Sequence, residues 1–106
     1  MTINESLIRE VVGKILTVAH PERVILFGSA ATGVITPDSD VDLLVIEKDV
    51  GNPREETLKI RKALTGFDMP VDVIVMASDR FEETRNVIGG IAYPANKYGK
   101  VIYEAA

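Results

Sequence analysis

Two aspartates one residue apart, Asp40 and Asp42, stand at the head of an apolar run, Leu43-Leu44-Val45-Ile46. The run reads as a strand buried on both faces. Residues i and i+2 of a strand share a side, so both carboxylates project from one face at the mouth of a sheet. Their Cα atoms are then about 6.6 Å apart. Two like charges at that spacing repel by roughly 2.5 kcal/mol at an effective dielectric of about 20, and by under about 1 kcal/mol in open water. A half-buried pair therefore calls for a counter-charge. A hard divalent cation supplies one, since Mg²⁺ takes one or two carboxylates together with substrate phosphate oxygens. The plainer alternative is two solvated aspartates at a turn, because Pro37-Asp38-Ser39-Asp40 has turn composition.

Upstream, a second apolar run ends in Phe27-Gly28-Ser29-Ala30-Ala31-Thr32-Gly33. This is a strand entering a short helix or tight turn. A helix N-terminus offers free N–H groups and a positive dipole end to an anion. Gly28 lacks a Cβ, so a phosphate can approach the backbone, and Ser29 adds a hydroxyl donor. Ser29 also suits a helix cap, and one serine can serve both ends. The stretch is not a Walker A loop, because the Gly-Lys-Ser/Thr ending is missing.

Gly28-Ser29, a ten-residue spacer and Asp40-x-Asp42 together resemble the signature of the minimal nucleotidyltransferases. These belong to the DNA polymerase beta-like nucleotidyltransferase superfamily. The family carries a third carboxylate on a neighbouring strand, and here Asp72 matches it, opening the β-type run Val71-Asp72-Val73-Ile74-Val75-Met76. The resemblance covers most of the chain. It implies that Asp40, Asp42 and Asp72 are catalytic metal ligands for two Mg²⁺ ions, with Asp40 and Asp42 bridging both. Asp72 would hold the ion nearest the incoming hydroxyl and accept its proton. It further implies that Gly28 and Ser29 hold the β- and γ-phosphates of a nucleoside triphosphate, with ATP as substrate and AMP as the transferred group.

One departure stands out. Many relatives have arginine after the serine or just before the second glycine of the turn, where this chain has Ala30 and Thr32. A bidentate phosphate contact is thereby lost, leaving Arg23, Arg54 or a partner protein to replace it. Chains of this kind resemble antitoxins that pair with a HEPN-domain ribonuclease toxin and adenylylate a toxin tyrosine. That role is the functional expectation. Two rivals are a nucleotidyltransferase fold that neutralises its partner by contact alone, and a transferase acting on a small molecule such as an aminoglycoside.

The chain has 106 residues, 46% of them apolar, which suits one small domain over residues 1–106. About thirty residues follow the core strands, too few for an acceptor-selecting domain, so the acceptor or a second subunit must supply that surface. With no cysteine there is neither a disulfide framework nor a thiolate metal site. No apolar run approaches a membrane span, and Met1-Thr2-Ile3-Asn4-Glu5 is no signal peptide, which predicts a cytoplasmic protein. A net charge of −4 without a basic tract disfavours general nucleic-acid binding.

The elements that must position the acids follow from periodicity. Ile3, Leu7, Ile8, Val11, Val12, Ile15, Leu16 and Ala19 predict an amphipathic helix over 3–19, ended by Pro21 with His20 at its exposed terminus. Strands are predicted over Arg23–Phe27, Val41–Glu47, Val71–Met76 and Lys100–Glu104. Asn52 and Pro53 open a helix whose Lys59, Arg61 and Lys62 suit its C-terminal dipole end. Ser78 predicts a cap for a short helix to about Arg85, and Pro94 the start of another, closed by Gly99. The fold class is α/β (α+β), a small mixed sheet flanked by helices. The first two strands can be antiparallel, and Asp72 must lie beside the Asp40–Asp42 strand if the acids act together. Tyr93, Tyr98 and Tyr103 fit core or interface packing better than stacking on a base.

Overall fold

The unbroken apolar runs become strands with helices on both sides. The computed structural model describes residues 5–28, 41–66 and 71–105. Its strands are β1 (Arg23–Phe27), β2 (Val41–Glu47), β3 (Val71–Ala77) and β4 (Lys100–Glu104), and they form one sheet in the order β3-β2-β1-β4. β1 runs antiparallel to β2 and β4, while β2 and β3 are parallel. The helices among the described residues are α1 (Glu5–Leu16), α2 (Pro53–Ala63), α3 (Ser78–Thr84) and α4 (Ala92–Tyr98).

Alternate residues of each strand serve two cores. Val24, Leu26, Leu43, Val45, Val73 and Val75 pack with Val11 and Ile15 of α1 and Ile60 of α2. Ile25, Leu44 and Ile46 pack on the other side with Phe81 of α3 and Ala92 and Ala95 of α4. This two-sided burial explains why the central strand shows no polar alternation. The same parity places Asp42 and Asp72 on the α3/α4 side, in phase with Leu44 and Ile74.

The four strands and the N-terminus of α2 follow the sequence reading. Asn52 accepts from the N–H groups of Arg54 and Glu55 at 3.1 and 3.2 Å, and Pro53 takes the first helical position. Other boundaries differ. α1 stops at Leu16, not at residue 19: the Thr17 hydroxyl donates to the Lys14 carbonyl at 2.6 Å, and the N–H groups of Thr17 and Val18 close tighter turns onto Lys14 and Ile15. Pro21 therefore does not end it, and exposed His20 lies beyond the helix. Ala77, not Ser78, is the N-cap of α3, because the Ser78 hydroxyl donates instead to Glu22 at 2.9 Å. α4 begins at Ala92, with Pro94 inside the first turn, where its missing N–H costs nothing. Gly99 does close α4, but with extended backbone; a Cβ there would run into the Ala95 carbonyl and Ile25.

At the far end of β2, Glu47 points into the α2 side and is only 6% exposed. A carboxylate there is costly unless it is paired or protonated. Burial, and Glu56 hydrogen-bonded against it, push its carboxyl up to about 7. Glu56 moves the other way, chiefly because it shares that hydrogen bond and then because Lys59 lies 2.8 Å away. Glu47 thus binds a proton in the folded state that it has lost in the unfolded state between its ordinary 4.5 and about 7. Its contribution to stability is complete below that window and is lost as pH rises through it. Glu56 contributes in the opposite sense, lower down. Urea unfolding across pH should show a fall on the order of 1–2 kcal/mol from pH 5 to 8 that Glu47→Gln abolishes. Parallel pH profiles for the two proteins would contradict this assignment.

Candidate active site

Parallel pairing sets Asp42 directly beside Asp72, in register, with Val41 beside Val71 and Leu43 beside Val73. Neighbouring strands lie about 4.8 Å apart, closer than the two-residue step along a strand. On the other side of β2, Phe27 of β1 pairs with Asp42. Because β1 is antiparallel, its C-terminal end meets the N-terminal ends of β2 and β3. Gly28, the two acids and the last turn of α2 therefore collect at one rim of the sheet.

Gly28 is needed twice over. Its φ of +74° is left-handed, and a Cβ built there would collide with the Asp42 carboxylate. The glycine thus lets the strand end turn directly over the acid. Asp42 is half-buried there and Asp72 is exposed. Arg61 reaches Asp72 Oδ1 with Nη2 at 2.7 Å, and the same nitrogen lies 3.5 Å from the Val73 carbonyl oxygen.

Of the residues predicted from sequence, Gly28, Asp42 and Asp72 come together at this rim. Ser29 and Asp40, with the spacer between them, lie outside the described residues. Among the described residues no three acids or histidines stand close enough to hold a metal ion. The donors that are placed fit a hard divalent cation: two carboxylates side by side, and a guanidinium already occupying one as a positive charge. His20 lies at the opposite end of β2, near Glu47 and Glu56, not among these groups.

On sequence grounds Arg61 is only a cation suited to a helix C-terminus, and the structure sets it on Asp72. A usable signal existed. In a β-α-β unit the last turn of the helix returns to the start of the second strand, so a cation there faces an acid there. Arg54 sits in the first turn of α2. Arg23 pairs with Glu82 and Glu104, at 3.6 Å each. The tyrosines divide: Tyr103 packs on the core, Tyr93 accepts a hydrogen bond from Lys97 at 3.2 Å, and Tyr98 is 66% exposed with Lys97 over its ring.

A family model described as nucleotidyltransferase domain matches residues 6–92. The chain belongs to this nucleotidyltransferase domain family. It is 37% identical over 54 residues to a Methanocaldococcus jannaschii protein provisionally named a protein adenylyltransferase. That match covers 51% of this chain and 54% of the relative, so the chain spans about half the length of the curated relative it matches. Two solved structures share the fold. One is a toxin–antitoxin with AMP-PNP, with a TM-score of 0.65, 20% identity, and coverage of 97% of this chain and 75% of that one. The other is tri-AMPylated Shewanella oneidensis HEPN toxin in complex with MNT antitoxin, with a TM-score of 0.51, 20% identity, and coverage of 96% and 74%. Among the described residues no helix is long and apolar enough to cross a membrane.

Because Gly28 combines positive φ with contact to Asp42, Gly28→Ala should cost about 1–3 kcal/mol of stability in urea unfolding. A loss below about 0.5 kcal/mol, the range of an ordinary surface substitution, would mean that the turn relaxes freely.

Proposed function

We propose that this nucleotidyltransferase domain transfers AMP from ATP to a hydroxyl in the presence of Mg²⁺, that the hydroxyl belongs to a tyrosine of a HEPN-type toxin, and that the chain acts as its antitoxin. The observation that carries the chemistry is the in-register pair Asp42–Asp72 beside Gly28. The acceptor reading is supported by the protein adenylyltransferase relative and the shared fold with toxin–antitoxin proteins.

Asp42 and Asp72, together with Asp40 of the sequence motif, would supply carboxylate ligands to the cation. Gly28, with no Cβ to collide with it, lets the Asp42 carboxylate sit directly against the turn. Bound divalent cations supply charge stabilisation for the attacking and leaving oxygens of an in-line displacement. The acceptor oxygen bonds to the α-phosphorus, the α–β bridging bond breaks, and pyrophosphate leaves. The hydroxyl proton passes to Asp72, at the open end of the pair. The work of this chain is then to position the groups and prearrange charge.

Ala30 and Thr32, standing where many relatives of the resembled family have an arginine, favour one alternative, a binding module without turnover. Labelled ATP, Mg²⁺ and a HEPN partner, followed by intact mass, separate the readings. Transfer should add one or more AMP units and fall by at least about a hundredfold in Asp42→Asn, the scale seen when a charge-stabilising group is removed. A stable complex without added AMP would favour the binding module. Undiminished transfer by a folded Asp42→Asn would rule out the acid-pair mechanism.

A further inference from the structure

α2 connects β2 to β3, and its last turn returns to the rim where β3 begins. Arg61 lies in that turn, eleven residues before Asp72, and its guanidinium rests on Asp72 Oδ1 at 2.7 Å. This ion pair places a cation on one member of the acid pair. Its side chains are 49% and 54% exposed, and exposed pairs of this kind are weak. A positive charge is therefore held against Asp72 in an arrangement that breaks easily.

We infer that Arg61 is the resident counter-ion of the acid pair and that a divalent cation must displace it from Asp72 to enter the site. The inference rests on the metal-dependent reading above. In the metal-free protein, Arg61 offsets the repulsion between the carboxylates of Asp42 and Asp72, which the strand register forces together. A guanidinium seated on Oδ1 and a divalent cation drawn to the same carboxylate repel each other. Metal entry is thus an exchange of one cation for another, and Arg61 acts as a positioning residue. The displaced guanidinium stays at the rim, tethered by a helix turn, where an incoming triphosphate gives it a new anionic partner. That would return to the site a charge of the kind missing at positions 30 and 32.

The test is Mn²⁺ binding to the nucleotide-free protein, followed by the electron paramagnetic resonance signal of free Mn²⁺. Arg61→Gln should bind Mn²⁺ about two- to fivefold more tightly than wild type, the equivalent of an exposed ion pair. Lys62→Gln removes the same charge from the next residue and should change affinity less than Arg61→Gln does. Arg61→Lys should restore part of the wild-type value. In an Asp72→Asn background, Arg61→Gln should give no further gain, because the coupling runs through Asp72. Equal or weaker binding by Arg61→Gln, or an equal gain from Lys62→Gln, would overturn the inference while leaving the metal site standing. Absence of Mn²⁺ binding by wild type and all variants would overturn the metal reading and the inference together.

Discussion

The register between β2 and β3 is the constraint on which the candidate site depends. Seven paired positions run from Val41 beside Val71 to Glu47 beside Ala77. Both strands carry apolar side chains on both faces, so a slip of one residue would send every side chain to the wrong core. The packing that fixes Leu43, Leu44 and Val45 against Val73, Ile74 and Val75 also fixes Asp42 against Asp72. Apolar burial stabilises the strand pair, and the juxtaposed like charges come with it. An acid pair held by register, not by loops, is positioned as rigidly as the sheet itself.

α2 carries charge to both ends of this strand pair. In its first turn Glu56, paired with Lys59 one turn on, meets buried Glu47 at the end of β2. In its last turn, Arg61 meets Asp72 at the start of β3. The two ends differ in environment and so in consequence. Glu47 is enclosed and its carboxyl is pushed up to about 7, whereas Arg61 and Asp72 are exposed. The site also lies at the N-terminal ends of the parallel strands, whereas open parallel α/β sheets bind ligands at the C-terminal ends. Antiparallel β1 accounts for this, since it brings the Gly28 turn to that rim.

Much of this was legible in the sequence, for identifiable reasons. Strands of continuous apolar residues flanked by turn residues gave their boundaries away, as did Asn52-Pro53 before α2. Asp72 could be matched as the third acid only through the family resemblance, and the strand register is what sets it beside Asp42. What failed depended on contacts distant in the chain. Ser78 looks like a cap until Glu22, 56 residues earlier in the chain, accepts its hydroxyl. The end of α1 is set by one threonine hydroxyl, which periodicity does not see. Arg61 fits a helix dipole on local grounds, and only the return of α2 to β3 sets it on Asp72. Nothing local in the sequence marks Glu47, the last residue of β2, as buried; its burial comes from packing. The roles of Asp40 and Ser29 rest on the motif, because both lie outside the described residues.

The most direct test of the central claim is diffraction from crystals grown with Mn²⁺ and a non-hydrolysable ATP analogue, with data collected for manganese anomalous scattering. The account predicts an anomalous peak in contact with the carboxylates of Asp42 and Asp72, with the analogue's phosphates on the Gly28 side and Arg61 moved off Asp72. Manganese bound elsewhere, with Arg61 still seated on Asp72 beside bound nucleotide, would contradict it.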